Sequence, residues 1–544
     1  MPKETPTSTD KAPTRELESG RAGRSLWPAI AVVLVATLLL GSVSLIYPFG
    51  RDQGIHAYIA DAMLSGKVVY RDVFNIKPPL TTPVHAAALL LFGHSMTSIR
   101  ILDLLWTMAV TLLVFFLVYR GSGRRWAAAS AACIYPLLYY LLSFWHTAQT
   151  DGWLNLPVAG ALLLGHTAVR RNGRMAWLKW AGAGLLIGVA TLFKYTAGIV
   201  LPLLAVVLLW RTQRARAKGL VALVAGFAVS LAVAALALVV TGAMPAFIES
   251  QFRLVPAYSR ISPGAGLLSG LGLGVRQMFK EPGLRPTGVV LVLGLAGAIF
   301  LFLRLRSKEP GRALLPLLGL VWFAAGAISL LSQGKFFNYH YLGLIGAAAL
   351  LSGSAFSAIG GRLRRTSARA VVLLGLVALL GIVSGYPHRL GVLYQVASGS
   401  VPLQAYWRSP LHNSGRDFSL GADLALVDYV TEHTEPGDRV YIWGYEPLVY
   451  FLSRRPTVSR FIYNFPLVVS WSPPGFEREL LTALERDPPV LFIVAHGDQT
   501  PWVTGHNLDS FQALLESDSL RTFVERIYRP EARINRFDVY RRVN

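Results

Sequence analysis

The sequence is poor in cysteine, in charge and especially in acidic residues. One of its 544 residues is cysteine, Cys133, and it sits inside an apolar run. No intramolecular disulfide and no cysteine-based metal site can form. Any part outside the cell must therefore fold on its packed core alone. Charged residues make up 15% of the chain and hydrophobic ones 53%, whereas a soluble domain carries about 25% charged residues. A cleaved leader cannot account for this, because the apolar runs recur along most of the chain. There are 30 acidic residues against 52 basic ones, a net charge of +22. Such an excess suits nucleic acid. Here, however, the basic residues gather in short loops between apolar runs, which is the topology pattern of a multi-pass membrane protein. The lipid bilayer is the expected partner, and nucleic acid is not.

A helix needs about 20 apolar residues to cross the hydrocarbon core. A polar, charged tail over 1–25 is expected to be disordered. Runs follow at 26–47, 97–119, 126–142, 153–169, 180–193, 196–210, 219–240, 286–303, 314–331, 341–359 and 370–386, about eleven spans in all. The runs 180–193 and 196–210 are short and can form one bent hairpin around Lys194. Alternate loops hold Arg120, Arg124 and Arg125; Arg170, Arg171, Arg174 and Lys179; Arg211, Arg214, Arg216 and Lys218; Arg304, Arg306, Lys308 and Arg312; and Arg362, Arg364, Arg365 and Arg369. The positive-inside rule places these five in the cytoplasm. The intervening loops face outward. An odd number of spans then puts the N-terminus inside and the C-terminal region outside. The domains expected are a membrane unit over 26–386, a linker over 387–416 and an extracytoplasmic α/β unit over 417–544.

In that last unit, DLALVDYVTEHT, YEPLVYFLSRRP, FERELLTALERDP and LDSFQALLES read as helices. RVYIWG, PVLFIVAHGD and RFDVYRRV read as strands. The alternation predicts a small α/β layer structure. No glycine-rich phosphate loop follows its first strand. The unit is expected to pack over the membrane site or to bind an acceptor, rather than to catalyse.

Polar residues near membrane depth are costly and mark function, and they cluster in the outward loops. In RDQGIHAYIADAML, Asp52 lies just beyond the first span. It can accept a proton from a hydroxyl nucleophile or serve as an N-cap. The segment after it has the spacing of a helix lying along the interface. His56 and Tyr58 are candidate substrate contacts there, although an ordinary amphipathic helix also explains His56 and Asp61. Lys77 precedes Pro78 and Pro79 on a stiff turn. It can hold a phosphate oxygen or simply snorkel. Lys194, an outward lysine between two apolar runs, needs an anionic partner. SFWHTAQTDGW presents Asp151, and QGKFFNYHY presents Lys335 and His340 beside aromatics that also suit an interfacial belt. In the 241–285 loop, Arg253, Tyr258 and Arg260 can face the same site or be solvated. The outward loops contain no DxD, and the histidines lack metal-ligand spacing. A divalent cation is thus an open option without support, and no metal ligand is assigned.

The layout resembles the GT-C superfamily of polytopic glycosyltransferases, and within it the bacterial branch of lipid A aminoarabinose transferases and protein O-mannosyltransferases. The residues carrying the resemblance are Asp52 in RDQG, Lys77 in YRDVFNIKPPL, Asp151 in TDGW, Lys194 in FKY and the KFFNYHY segment. The resemblance covers most of 26–386. It implies an all-α membrane domain, a polyprenyl-phosphate-sugar donor, an acceptor of unspecified class, and inverting transfer at the outer face of a bacterial cytoplasmic membrane. Carried over, Asp52 is the catalytic base and Asp151 the second acid, while Lys77 and Lys194, with Lys335 and His340 nearby, hold the donor phosphate. Many members have Asp-Glu in the first loop. This chain has Asp52-Gln53, so it departs from that pattern at the second position. A transporter or flippase for a lipid-linked sugar is one alternative, but no internal repeat supports it. A polymerase or ligase for surface glycans is another. A non-catalytic anchor would not need polar clusters in separate outward loops.

Overall fold

The structure is a computed structural model. It describes residues 25–170, 175–211, 216–261, 266–309, 311–359, 385–414 and 417–543. The tail over 1–24 and most of the run 370–386 lie outside the described residues. So do the loop residues Arg171, Arg174, Arg214, Arg362, Arg364, Arg365 and Arg369.

The membrane part is helical because its runs are apolar on most faces. Among the described residues, 8 helices are long and apolar enough to cross a bilayer: Trp27–Ile46, Met96–Ser122, Thr150–Arg170, Ala176–Phe193, Arg216–Val240, Arg285–Leu305, Leu314–Gln333 and Asn338–Ala358. Two further expected spans are shorter. One is the 16-residue helix Arg125–Tyr140 with Pro136 inside it. A helix of that length rises about 24 Å, less than the hydrocarbon core. The other is Tyr195–Arg211, whose first turn is a 3₁₀ segment, Tyr195–Ile199. Tight helix packing depends on small residues. A Cβ at Gly184 would collide with the Leu223 carbonyl, and one at Gly226 with the Ala181 carbonyl. The helices Ala176–Phe193 and Arg216–Val240 therefore pack backbone to backbone, as small residues permit in membranes.

The C-terminal unit holds a four-stranded mixed sheet. Strand β1 is Val440–Trp443, β2 Leu491–Ala495, β3 Tyr528–Ile534 and β4 Phe537–Arg542. The spatial order is β1-β2-β4-β3. β1 and β2 run parallel, with Ile442 opposite Ile493. β4 is antiparallel to both β2 and β3. β1 and β2 are buried along their whole length, which explains their continuous apolar sequence. β3 was not foreseen. It is an exposed edge strand, YRPEARI, without apolar alternation.

The sheet unit sits directly on the loop that follows the first span, through its helix Pro447–Ser453. Residues of this first-loop helix, Arg51–Leu64, are mostly buried as a result. Tyr58 packs on Tyr450 with ring centroids 5.2 Å apart, and Phe49 on Phe451 at 6.1 Å. A Cβ at Gly54 would lie 2.8 Å from Leu448, so the glycine admits the roof. Arg460 clamps the far side. Its carbonyl accepts from the Phe74 amide at 2.8 Å, and its guanidinium meets Glu249 at 3.1 Å and Glu479 at 2.7 Å.

Candidate active site

One cavity of about 950 Å³ opens where the helix ends opposite the basic loops meet the C-terminal roof. Asp52, His56, Lys77, Asp151, Lys194, Tyr258, Lys335 and His340 line it. Eight sequence-predicted residues from five separate stretches thus share one space. Arg120, Arg124, Arg170 and Arg211 occupy the opposite ends of their helices. Three predicted contacts are not brought in. Tyr58 is turned against Tyr450, because the apolar face of its helix is covered by the roof. Arg253 and Arg260 are exposed to solvent outside the cavity lining.

The helix bearing Asp52 starts earlier than an aspartate cap would require. Gly50 is the N-cap, and Asp52 lies in the first turn. The capping alternative is therefore replaced. The Gln53 side chain satisfies the Gly50 amide at 3.1 Å, which leaves the Asp52 carboxylate free to face the cavity. Asp52 makes no salt bridge among the described residues, and the Tyr339 hydroxyl donates toward it. Tyr258, Tyr445 and Tyr463 also surround it. Burial raises these three hydroxyls above their usual range, and the Asp52 charge adds to each shift. They remain neutral donors.

Lys77 is held by its backbone. Its amide donates to Asn75 Oδ1 at 2.9 Å, and its carbonyl accepts from the Tyr70 hydroxyl at 2.7 Å. The ammonium is left over the Tyr339 ring, 5.7 Å from the centroid, with no salt bridge among the described residues. Lys194 ends the helix Ala176–Phe193 in an extended conformation and pairs with Asp151 Oδ1. Asp151 occupies the first turn of the helix Thr150–Trp153.

Lys335 Nζ donates to the Ile261 carbonyl and, at 2.8 Å, to that of Trp502 in the roof; it also lies 4.1 Å from the Tyr258 ring centroid. Burial pulls its ammonium down to about 8. Among the described residues, His340 Nδ1 is buried without a hydrogen-bond partner. Both nitrogens of His56 are also unpartnered among the described residues, and burial together with His85 and Lys77 keeps its ring well below the usual range, hence neutral. Arg51, the neighbour of Asp52, binds Asp417 at 2.8 Å and Glu446 at 3.2 Å. Burial opposes its charge, but the two carboxylates outweigh burial and hold the guanidinium above its ordinary value. Its charge is consumed by the roof rather than offered to the cavity. No group of three metal-ligating side chains occurs among the described residues.

Sequence reasoning missed a buried layer beneath the site. Arg100 and Asp103 lie within the helix Met96–Ser122, both fully buried. Tyr139 donates to Asp103 at 2.7 Å and Trp153 at 2.8 Å. Arg389 binds the carbonyls of Tyr140 and Leu141, each at 2.8 Å, closing the end of the helix Arg125–Tyr140. Ionisable residues inside an apolar run were the available signal for Arg100 and Asp103. A second, apolar cavity of about 650 Å³ begins at Pro79 and Leu80, beside Lys77, and runs between the helices Ala176–Phe193 and Arg216–Val240.

A helical bundle with a polar cavity under an α/β roof defines the class: a polytopic membrane protein with a small C-terminal α/β unit. Residues 76–239 match the sequence model of the family described as dolichyl-phosphate-mannose-protein mannosyltransferase. The structure is similar to that of ArnT from Cupriavidus metallidurans bound to undecaprenyl phosphate, with TM-score 0.55, 16% identity, and coverage of 95% of this chain and 98% of that one. It is also similar to apo ArnT from the same organism, with TM-score 0.56, 17% identity and coverage of 95% and 99%. The oligosaccharyltransferase of Archaeoglobus fulgidus matches with TM-score 0.50 and 16% identity, over 89% of this chain and 70% of that one. At such identities the likeness is one of fold. No curated protein matches the chain in sequence.

Proposed function

We propose that the protein is an inverting glycosyltransferase that moves a sugar from a polyprenyl-phosphate donor to an acceptor hydroxyl at the outer face of the cytoplasmic membrane. The observation that carries this reading is the meeting of Asp52, Lys77, Asp151, Lys194, Lys335 and His340 in one cavity. The fold shared with ArnT, described in complex with undecaprenyl phosphate, supports the donor class. The mannosyltransferase family match supports the reaction class.

The acceptor oxygen attacks the anomeric carbon as the bond from that carbon to the phosphate oxygen breaks. Asp52 takes the acceptor proton. The departing polyprenyl phosphate keeps the electron pair, and fixed cations stabilise its growing charge. Lys77, without a salt bridge among the described residues, is one cation for that task. Lys194 is the second, aimed by its ion pair with Asp151. The apolar cavity starting at Pro79 supports the path of the lipid chain away from a phosphate at Lys77. The basic residues at the opposite helix ends support a cytoplasmic N-terminus and an extracytoplasmic C-terminal unit. In this reading the domains are a membrane unit over 26–386, a linker over 387–416 and the roof over 417–544.

The test is transfer by purified protein in lipid nanodiscs, supplied with a labelled polyprenyl-phosphate sugar and lipid extracts as acceptors. Labelled product from the wild type, and none from Asp52→Asn, is the expected result. Movement of label across a sealed membrane without a new glycosidic bond would instead favour a flippase.

A further inference from the structure

Gln53 is buried, with no exposed surface, next to Asp52. Its Oε1 accepts from the Gly50 amide at 3.1 Å. Its Nε2 faces the carbonyls of Phe144, Trp145 and Thr147 at 3.2, 3.0 and 2.8 Å. Those three carbonyls belong to the second outward loop, which leads into Asp151. Arg100 reinforces the same contact from below. It donates to Phe144 O at 2.9 Å, to Thr147 O at 3.1 Å and to the Pro48 carbonyl in the first loop.

Two independent features show how closely the loops are drawn together. A Cβ at Gly50 would lie 2.5 Å from the Trp145 ring. Ala148, just after the clamped carbonyls, has φ of 56°, a left-handed conformation that a non-glycine residue holds only under external constraint. Its amide is taken by the Tyr139 hydroxyl at 3.1 Å.

We propose that Gln53 is a positioning residue whose neutral amide ties the Asp52 helix to the Asp151 loop and so sets the spacing of the two acids across the cavity. The role rests on the glycosyltransferase reading for its catalytic consequence, but the clamp itself does not. The site demands a donor at one end of the side chain and an acceptor at the other. A carboxylate of the same length would place negative charge against three carbonyl oxygens. A protonated carboxyl would restore one donor. The charged and titratable groups around Gln53 are Arg100 from the span below, Arg51, Asp52 and His56 on its own helix, His146 in the clamped loop, and His412 against Phe144. Burial holds His146 down at about 4 and lowers His412, so neither histidine mimics a carboxyl titrating near neutrality.

The experiment compares wild type, Gln53→Glu and Gln53→Met by pH-resolved kinetics and by hydrogen exchange of the 143–150 amides. A misplacement of about 1 Å costs on the order of 10²-fold in rate. Gln53→Met should therefore lose about that much kcat at every pH, with donor KM little changed. Gln53→Glu should match that loss at about pH 8.5 and recover part of it by about pH 6, because a buried glutamate titrates well above its free value. Exchange in 143–150 should rise in step with each loss. Wild-type kcat in Gln53→Met, or a pH profile of Gln53→Glu parallel to wild type, would overturn the proposal. Unfolding of both variants would also overturn it, by assigning the residue to the fold rather than to the site. If no donor supports transfer by the wild type, the exchange data still decide whether the clamp exists.

Discussion

Lys194 and Asp151 form an ion pair at the cavity wall, although 43 positions separate them in the chain. One ends a membrane helix and the other begins one, so the pair joins two helix ends at a single depth. A buried pair gains stability only relative to its broken form. Removing one partner costs about 3 kcal/mol, because the other is left buried and charged, whereas replacing both by neutral groups is nearly neutral. Asp151→Asn should therefore lower the melting temperature in detergent clearly, and Asp151→Asn combined with Lys194→Met should restore most of it. An additive loss in the double variant would show that the two side chains do not act as a pair.

Asp52 and Lys77 should separate kinetically. A base acts on the chemical step, so Asp52→Asn should lower kcat by about 10²- to 10⁴-fold while leaving folding intact. A cation that holds the phosphate contributes a charged hydrogen bond, so Lys77→Ala should weaken donor use by about 10- to 10²-fold. Steady-state kinetics against donor concentration checks both. Asp52→Asn at full activity would remove the base from the mechanism.

Lys335 provides the pH dependence. Burial lowers its ammonium to about 8, below the usual lysine value. If its charge meets the donor phosphate, donor affinity is complete below that value and falls as pH rises through it. Lys335→Arg keeps the charge across this range and should flatten the profile. Donor titrations between about pH 7 and pH 9.5 resolve the difference. A wild-type profile flat across that window would exclude Lys335 from phosphate binding.

Gly184 tests the membrane packing away from the site. A methyl group there meets the Leu223 carbonyl, which is backbone and cannot rotate away. Gly184→Ala should cost about 1–3 kcal/mol, read as a lower melting temperature. An unchanged melting temperature would mean that the two helices are less closely packed than described.

Much of the architecture was legible because periodicity and charge report local environment. Continuous apolar runs identify spans, and strands β1 and β2 stand out because both of their faces are buried. The edge strand β3 escaped, since its exposed face carries no apolar alternation. The Asp52 cap alternative failed because a cap is a backbone geometry, and Gly50 adopts it.

Composition and residue order were enough to specify a multi-pass helical protein, the end at which its polar residues gather, and the acids and lysines worth naming. Those properties follow from transfer free energies, which act residue by residue. Only tertiary structure could decide that Tyr58 faces the roof, that Arg51 is neutralised by Asp417 and Glu446, and that Gln53 and Arg100 gather carbonyls from the loop that leads into Asp151. Those outcomes depend on which distant backbone atoms a side chain meets, and that is settled by packing between segments far apart in the chain.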